Sequence, residues 1–92
     1  MLTEEILKLA IETFGAEAQK RQAQEELSEL VVALSHEIRG RKSQNVAEEI
    51  ADVLIMMQQL ILIYNNGEDV ARFKKEKLER LYQALIRRQK KI

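Results

Sequence analysis

The sequence predicts an all-α protein, a four-helix-type bundle, on three observations. The 92 residues contain no proline, and Gly15, Gly40 and Gly67 cut the chain into pieces of 14, 24, 26 and 25 residues. Evenly spaced breakers without proline mark helices separated by turns. Aromatic residues make up 4% of the chain while Ala, Leu, Glu, Lys, Gln and Arg abound, which favours helix over strand. Apolar residues recur at intervals of three and four rather than alternating.

The first segment, Leu2 to Phe14, places Leu2, Ile6, Leu9, Ala10 and Phe14 on one face, with Phe14 read as a core residue. Thr3 ahead of Glu4 and Glu5 suits a helix start, where side-chain oxygens meet unpaired amides. In the second, Ala23, Leu27, Leu30, Val31, Leu34 and Ile38 form the expected core stripe, and His36 falls on the opposite, exposed side. Arg39-Gly40 ends it, a cation by the last carbonyls and a glycine free to turn left-handed. The third starts at Asn45, with Glu48 as a capping-box partner, and stops at Asn65-Asn66-Gly67. The fourth carries Val70, Phe73, Leu78, Leu81, Tyr82, Leu85 and Ile86 into a basic tail.

The third segment is apolar most of the way round, through Leu54-Ile55-Met56-Met57 and Leu60-Ile61-Leu62-Ile63. A helix of that kind is buried on all sides, and three other helices of this size barely enclose it. The expectation is an oligomer, with part of this helix in a subunit interface.

Composition removes several function classes. Without Cys there is no disulfide scaffold, thiolate nucleophile or Cys-type zinc site. Fifteen basic residues balance fifteen acidic ones, which speaks against a nucleic-acid partner. At 46% apolar the chain has enough material for a core. No apolar run approaches the ~18 residues of a membrane span, and Glu4 and Glu5 stand where a signal peptide carries positive charge. The expectation is one domain, residues 1–92, soluble and cytoplasmic, with no membrane partner.

One heptapeptide pattern occurs twice. Glu25-Glu26-Leu27-Ser28-Glu29-Leu30-Val31 and Glu48-Glu49-Ile50-Ala51-Asp52-Val53-Leu54 agree in chemical type at all seven positions, offset by 23 residues. On each helix two carboxylates, Glu26 with Glu29 and Glu49 with Asp52, stand one turn apart beside the apolar stripe, while Glu25 and Glu48 project outward. If the two helices are antiparallel neighbours, level pairing of the clusters puts the hairpin midpoint near Arg39 and makes Gly40 to Gln44 an irregular loop. Four ionised carboxylates then converge and repel unless a cation joins them, and carboxylate oxygens with water and phosphate are what Mg²⁺ takes. On spacing alone a solvated acidic face stands beside this reading. A di-iron bundle does not: it needs Glu-x-x-His on two helices, and Ala33 stands where the sole histidine, His36, would need its Glu.

The string EExxE, an interval of about twenty residues, then ExxD resembles the all-α NTP pyrophosphatase superfamily, the MazG-like enzymes. The resemblance covers roughly Phe14 to Ile86, including Ala18-Gln19 to Leu30, Asn45-Val46-Ala47-Glu48 to Leu60, and Lys77-Leu78-Glu79-Arg80-Leu81. It implies Mg²⁺ (or Mn²⁺) held by Glu26, Glu29, Glu49 and Asp52. It also implies hydrolysis of nucleoside or deoxynucleoside triphosphates to monophosphate and pyrophosphate, in a homodimer or homotetramer. Glu25, or more weakly Glu48, would position or deprotonate the water. Lys74, Lys77 and Arg80 would meet the triphosphate, and Gln19 and Gln22 the base. The Trp residues that some relatives place around the base are missing here, so base specificity does not carry over. The competing class is a non-catalytic helical oligomer with merely superficial acids.

Charge resolves along the chain. Up to Gly67 there are eleven acids and six bases, net −5; beyond it four acids and nine bases, net +5.

Overall fold

A computed structural model describes residues 2–41 and 45–90. Its elements are α1 (Thr3–Phe14), α2 (Ala16–Ile38), α3 (Val46–Tyr64) and α4 (Gly67–Lys90), with no strand among the described residues. Among the described residues no helix is long and apolar enough to cross a membrane.

Local chemistry explains the joints. Gly15 alone separates α1 from α2, at φ 92 and ψ 148, a region open essentially to glycine. A Cβ there would meet nothing within 4 Å, so the requirement is one of backbone alone. Gly15→Ala is therefore expected to cost about 1–3 kcal/mol in a denaturant titration, without any steric clash. Thr3 does not cap α1. Leu2 occupies that position with no side-chain hydrogen bond, and Thr3 is the first helical residue.

At the start of α3, Asn45 Oδ1 accepts from the Glu48 N–H at 3.2 Å, the expected cap. After α2, Gly40 turns at φ 77 and Arg41 lies outside the helices; the rest of the expected loop, 42–44, lies outside the described residues. At the end of α3 the left-handed residue is Asn65, φ 50 and ψ 45, while Gly67 is helical and begins α4. A Cβ there would stand in van der Waals contact with Ile61 Cγ2, at 3.4 Å.

The main packing is the antiparallel pair α2 and α3, with α1 laid against both. Its register is marked by a buried amide pair. Gln19 Nε2 donates to Gln59 Oε1 at 2.7 Å, and both side chains are buried. Their midpoint in sequence is Arg39, the centre expected from the two acidic clusters. Small and polar residues line the seam: Gln19, Ala23 and Ala33 from α2 are buried, against Met56 and Gln59 from α3. The expected stripe of α2 is corrected accordingly. Ala23 is buried and Leu30 half-buried, but Leu27, Val31, Leu34 and Ile38 are exposed. Close helix approach selects alanine over leucine, because backbones near each other leave little room for side chains. His36, three residues beyond Ala33 on the same face, is half-buried rather than exposed. In α1 the buried residue is Leu7, while Ile6, Leu9 and Phe14 are exposed.

α4 differs from the rest. It touches α3 slightly, makes no contact with α1 or α2, and buries no residue. One chain therefore forms a three-helix body with a projecting fourth helix, 55 × 38 × 24 Å overall. Its radius of gyration is 17.1 Å, against about 12 Å for a compact domain of this length.

Candidate functional site

The α2–α3 register decides which acids meet. With Gln19 opposite Gln59, one heptad along the seam, about two helical turns, brings Glu26 opposite Asp52, and a further turn brings Glu29 opposite Glu49. Glu26 sits on the seam between Ala23 and Leu30, half-buried, as are Glu49 and Asp52. One carboxylate oxygen from each of Glu26, Glu49 and Asp52 lies within 4.8 Å of the other two. Glu29 is exposed, yet its charge bears on both Glu26 and Glu49. Four of the six acids of the repeated pattern thus gather at one place, Glu26, Glu49 and Asp52 in a tight group and Glu29 at its rim.

The electrostatics are those of crowded, partly dehydrated carboxylates. Burial pushes the Glu26 carboxyl above its ordinary value; the Gln22 hydrogen bond works against this, and the charges of Glu29 and Asp52 add to it. Burial likewise raises Glu49, reinforced by Glu29, Asp52 and Glu48. Glu26 Oε2 and Glu49 Oε2 are buried with no hydrogen-bond partner among the described residues. Buried anionic oxygens without donors are costly unless protonated or bound to a cation.

That fixes a direction for stability. A carboxyl whose folded pKa lies above the unfolded value stabilises the fold below the unfolded pKa, near 4.5 here, and this contribution is lost as pH rises through the raised folded value. Cation-free protein is therefore expected to lose stability from about pH 4.5 upward through the raised Glu26 and Glu49 values. Glu49→Gln should melt higher than the parent at pH 7 and show a shallower fall. Melting temperatures in chelator-treated buffers between pH 4 and 8 check this, and a variant melting lower than the parent would contradict it.

The remaining candidates divide. Gln22 Nε2 donates to Glu26 Oε1 at 2.9 Å, which orients that carboxylate and leaves its buried Oε2 for another partner. The i,i+4 spacing of the two residues carries this signal in the sequence. Gln19, expected beside a base, is turned into the seam and engaged with Gln59, so only Gln22 remains at the surface by the acids. Glu25 and Glu48 are exposed, and no hydrogen bond or ion pair of the described residues engages the Glu25 side chain. Lys74, Lys77 and Arg80, all exposed on α4, make no ion pair with the four acids. They also do not share a face. Lys74 and Lys77 border one hollow with Val70, Phe73, Leu78 and Leu81, while Arg80 lies with Arg72, Lys75, Glu76 and Glu79 on the other side. Gln59 and Ala33, neither of them an expected core residue, join Met56 and the expected Ala23 in holding the acids in register.

The chain gives no significant match to any protein-family model, curated protein or solved structure.

Proposed function

We propose that this chain is a Mg²⁺-dependent nucleoside triphosphate pyrophosphohydrolase of the MazG-like kind. Its work would be control of the cytoplasmic nucleotide pool. The observation that carries the reading is the convergence of Glu26, Glu49 and Asp52 within 4.8 Å, with Glu29 bearing on them. The set fits a hard divalent cation: every donor is a carboxylate oxygen, and two buried oxygens lack a donor of their own.

Glu26, Glu29, Glu49 and Asp52 would hold Mg²⁺, or Mn²⁺ in its place, with Gln22 keeping Glu26 aimed. When bound, such an ion neutralises phosphate charge and lowers the pKa of a water ligand. The chain's own part in the chemistry is to position and accept a proton. Glu25, exposed next to Glu26, would take a proton from water attacking the α-phosphorus; Glu48, next to Glu49, is the weaker candidate for that task. The α–β anhydride bond breaks, and the products are monophosphate and pyrophosphate. Lys74, Lys77 and Arg80 are the candidates for phosphate charge, and Gln22 for the base edge.

The second reading is a non-catalytic helical oligomer, favoured by the apolar surface of α4 and of α2. Both readings involve assembly, as a homodimer or homotetramer, so assembly does not separate them. Catalysis does. A panel of ordinary and modified (d)NTPs with Mg²⁺ should yield monophosphate and pyrophosphate in equal amounts for at least one substrate. Orthophosphate as the sole product, or no turnover across the panel, would refute the hydrolase reading.

A further inference from the structure

We infer that α4 of a second copy of this chain covers the α2–α3 body of the first, and brings Lys74 and Lys77 against its acidic cluster. The inference rests on that cluster being the site proposed above, though not on its catalysing any reaction. Three observations carry it.

The first is area. The chain exposes 7743 Å², whereas a compact monomer of its 10.7 kDa exposes about 5,500 Å². The excess is roughly 2,200 Å² per copy, beyond the ~800 Å² per partner of a standard interface and within the range of obligate dimers. Much of it is apolar: on α4, Phe73, Leu78, Leu81 and Leu85 are each about half exposed.

The second is where the α4 cations sit. Lys74 and Lys77 lie within the apolar stripe, among Val70, Phe73, Leu78 and Leu81. Whatever covers that stripe must take up two ammonium groups, and a surface without carboxylates would leave them buried and unpaired, at a large cost. The α2–α3 body supplies the complement, four carboxylates bordered by exposed Leu27, Ile50 and Leu54.

The third is the sign of the halves. Residues up to Gly67 sum to −5 and those beyond it to +5, so exchange of α4 between copies sets opposite charges together twice in a two-fold pair. An anionic lipid surface would attract α4 but repel the body attached to it. Within one chain the pairing is not made, since α4 has no contact with α2.

The absence of cysteine makes the test clean. Sedimentation equilibrium of the full chain is expected to give at least twice the 10.7 kDa mass. Leu81→Glu, at a side chain half exposed in the single chain, should lower the mass to that of one chain with helical circular dichroism unchanged. Lys77→Cys protein mixed with Glu29→Cys protein should give a heterodimer with a short bis-maleimide, and Arg72→Cys, on the outer face of α4, should give far less. A monomer in solution, an assembly indifferent to Leu81→Glu, or one in which Arg72→Cys cross-links as well as Lys77→Cys would overturn the inference. So would a monomer that binds phosphatidylglycerol vesicles in place of itself. Turnover plays no part in these readouts, so a chain inactive on nucleotides can still satisfy them.

Discussion

Asp52→Asn is expected to lower Mg²⁺-dependent pyrophosphohydrolysis by at least about 100-fold, the upper end of what outer-shell partners of metal ligands contribute, with the helices intact. Asp52 faces Glu26 across the seam and adds its charge to both Glu26 and Glu49. On the proposed reading, removing that charge would deprive a divalent cation of a ligand; it also lets Glu26 and Glu49 ionise more readily. The variant therefore binds the cation less well while its cation-free form is no less stable, because like charges have been separated. This pairing of lost activity with retained or raised melting temperature distinguishes a ligand from a structural acid. A structural acid would lose both together. Steady-state turnover and thermal melts of the same preparation, with and without Mg²⁺, check the outcome.

The second large effect is expected at a residue that carries no chemistry. Ala33 is fully buried where α2 and α3 approach, one turn from Glu29. Ala33→Leu adds three carbons to a seam with no room for them, and overpacking of this kind costs about 1–3 kcal/mol. Each kcal/mol lowers the melting temperature by about 4–8 °C in a domain this small. The helices relieve the strain by moving apart, which widens the gap between Glu26 and Asp52. Mg²⁺ affinity should fall although every carboxylate is kept. An Ala33→Leu protein with undiminished melting temperature would show that the seam is looser than described. One that is destabilised but binds Mg²⁺ as before would show that the carboxylates are not set by this packing.

The hairpin and its acids were legible in the sequence because they rest on spacing. Two identical patterns of chemical type, centred on Arg39, specify an antiparallel register, and the Gln19–Gln59 pair shares that centre. The joints were legible for a related reason: Gly15, Gly40 and Asn45 are residues whose backbone or side chain has one evident use. The inner face of α2 was legible only in part, at Ala23 and Leu30. Periodicity weighs large apolar residues most, and so favours Leu27, Val31 and Leu34, whereas the closest helix contact takes Ala23, Ala33 and a paired glutamine. The misplacement of Gln19 has the same origin. An amide reads as surface in a sequence, but a second amide on the facing helix satisfies it inside.

On α4 the difficulty was angular. Lys74, Lys77 and Arg80 lie within two turns, but six residues of α-helix carry Arg80 about 120° away from Lys74, onto the polar face. Spacing along the chain identified the basic helix and did not resolve its two sides. The exposed stripe on that helix, and the apolar excess of α3 that pointed to an interface, belong to the same physical fact: one copy holds more apolar surface than it can cover.

The central claim is that Glu26, Glu29, Glu49 and Asp52 form a divalent-cation site. Calorimetric titration of Mg²⁺, and of Mn²⁺, into the chelator-treated chain at pH 7 tests it most directly. Saturable binding that weakens at least about tenfold in Glu49→Gln is the expected result. The absence of saturable binding of either ion, or an isotherm unchanged by Glu49→Gln, would contradict it.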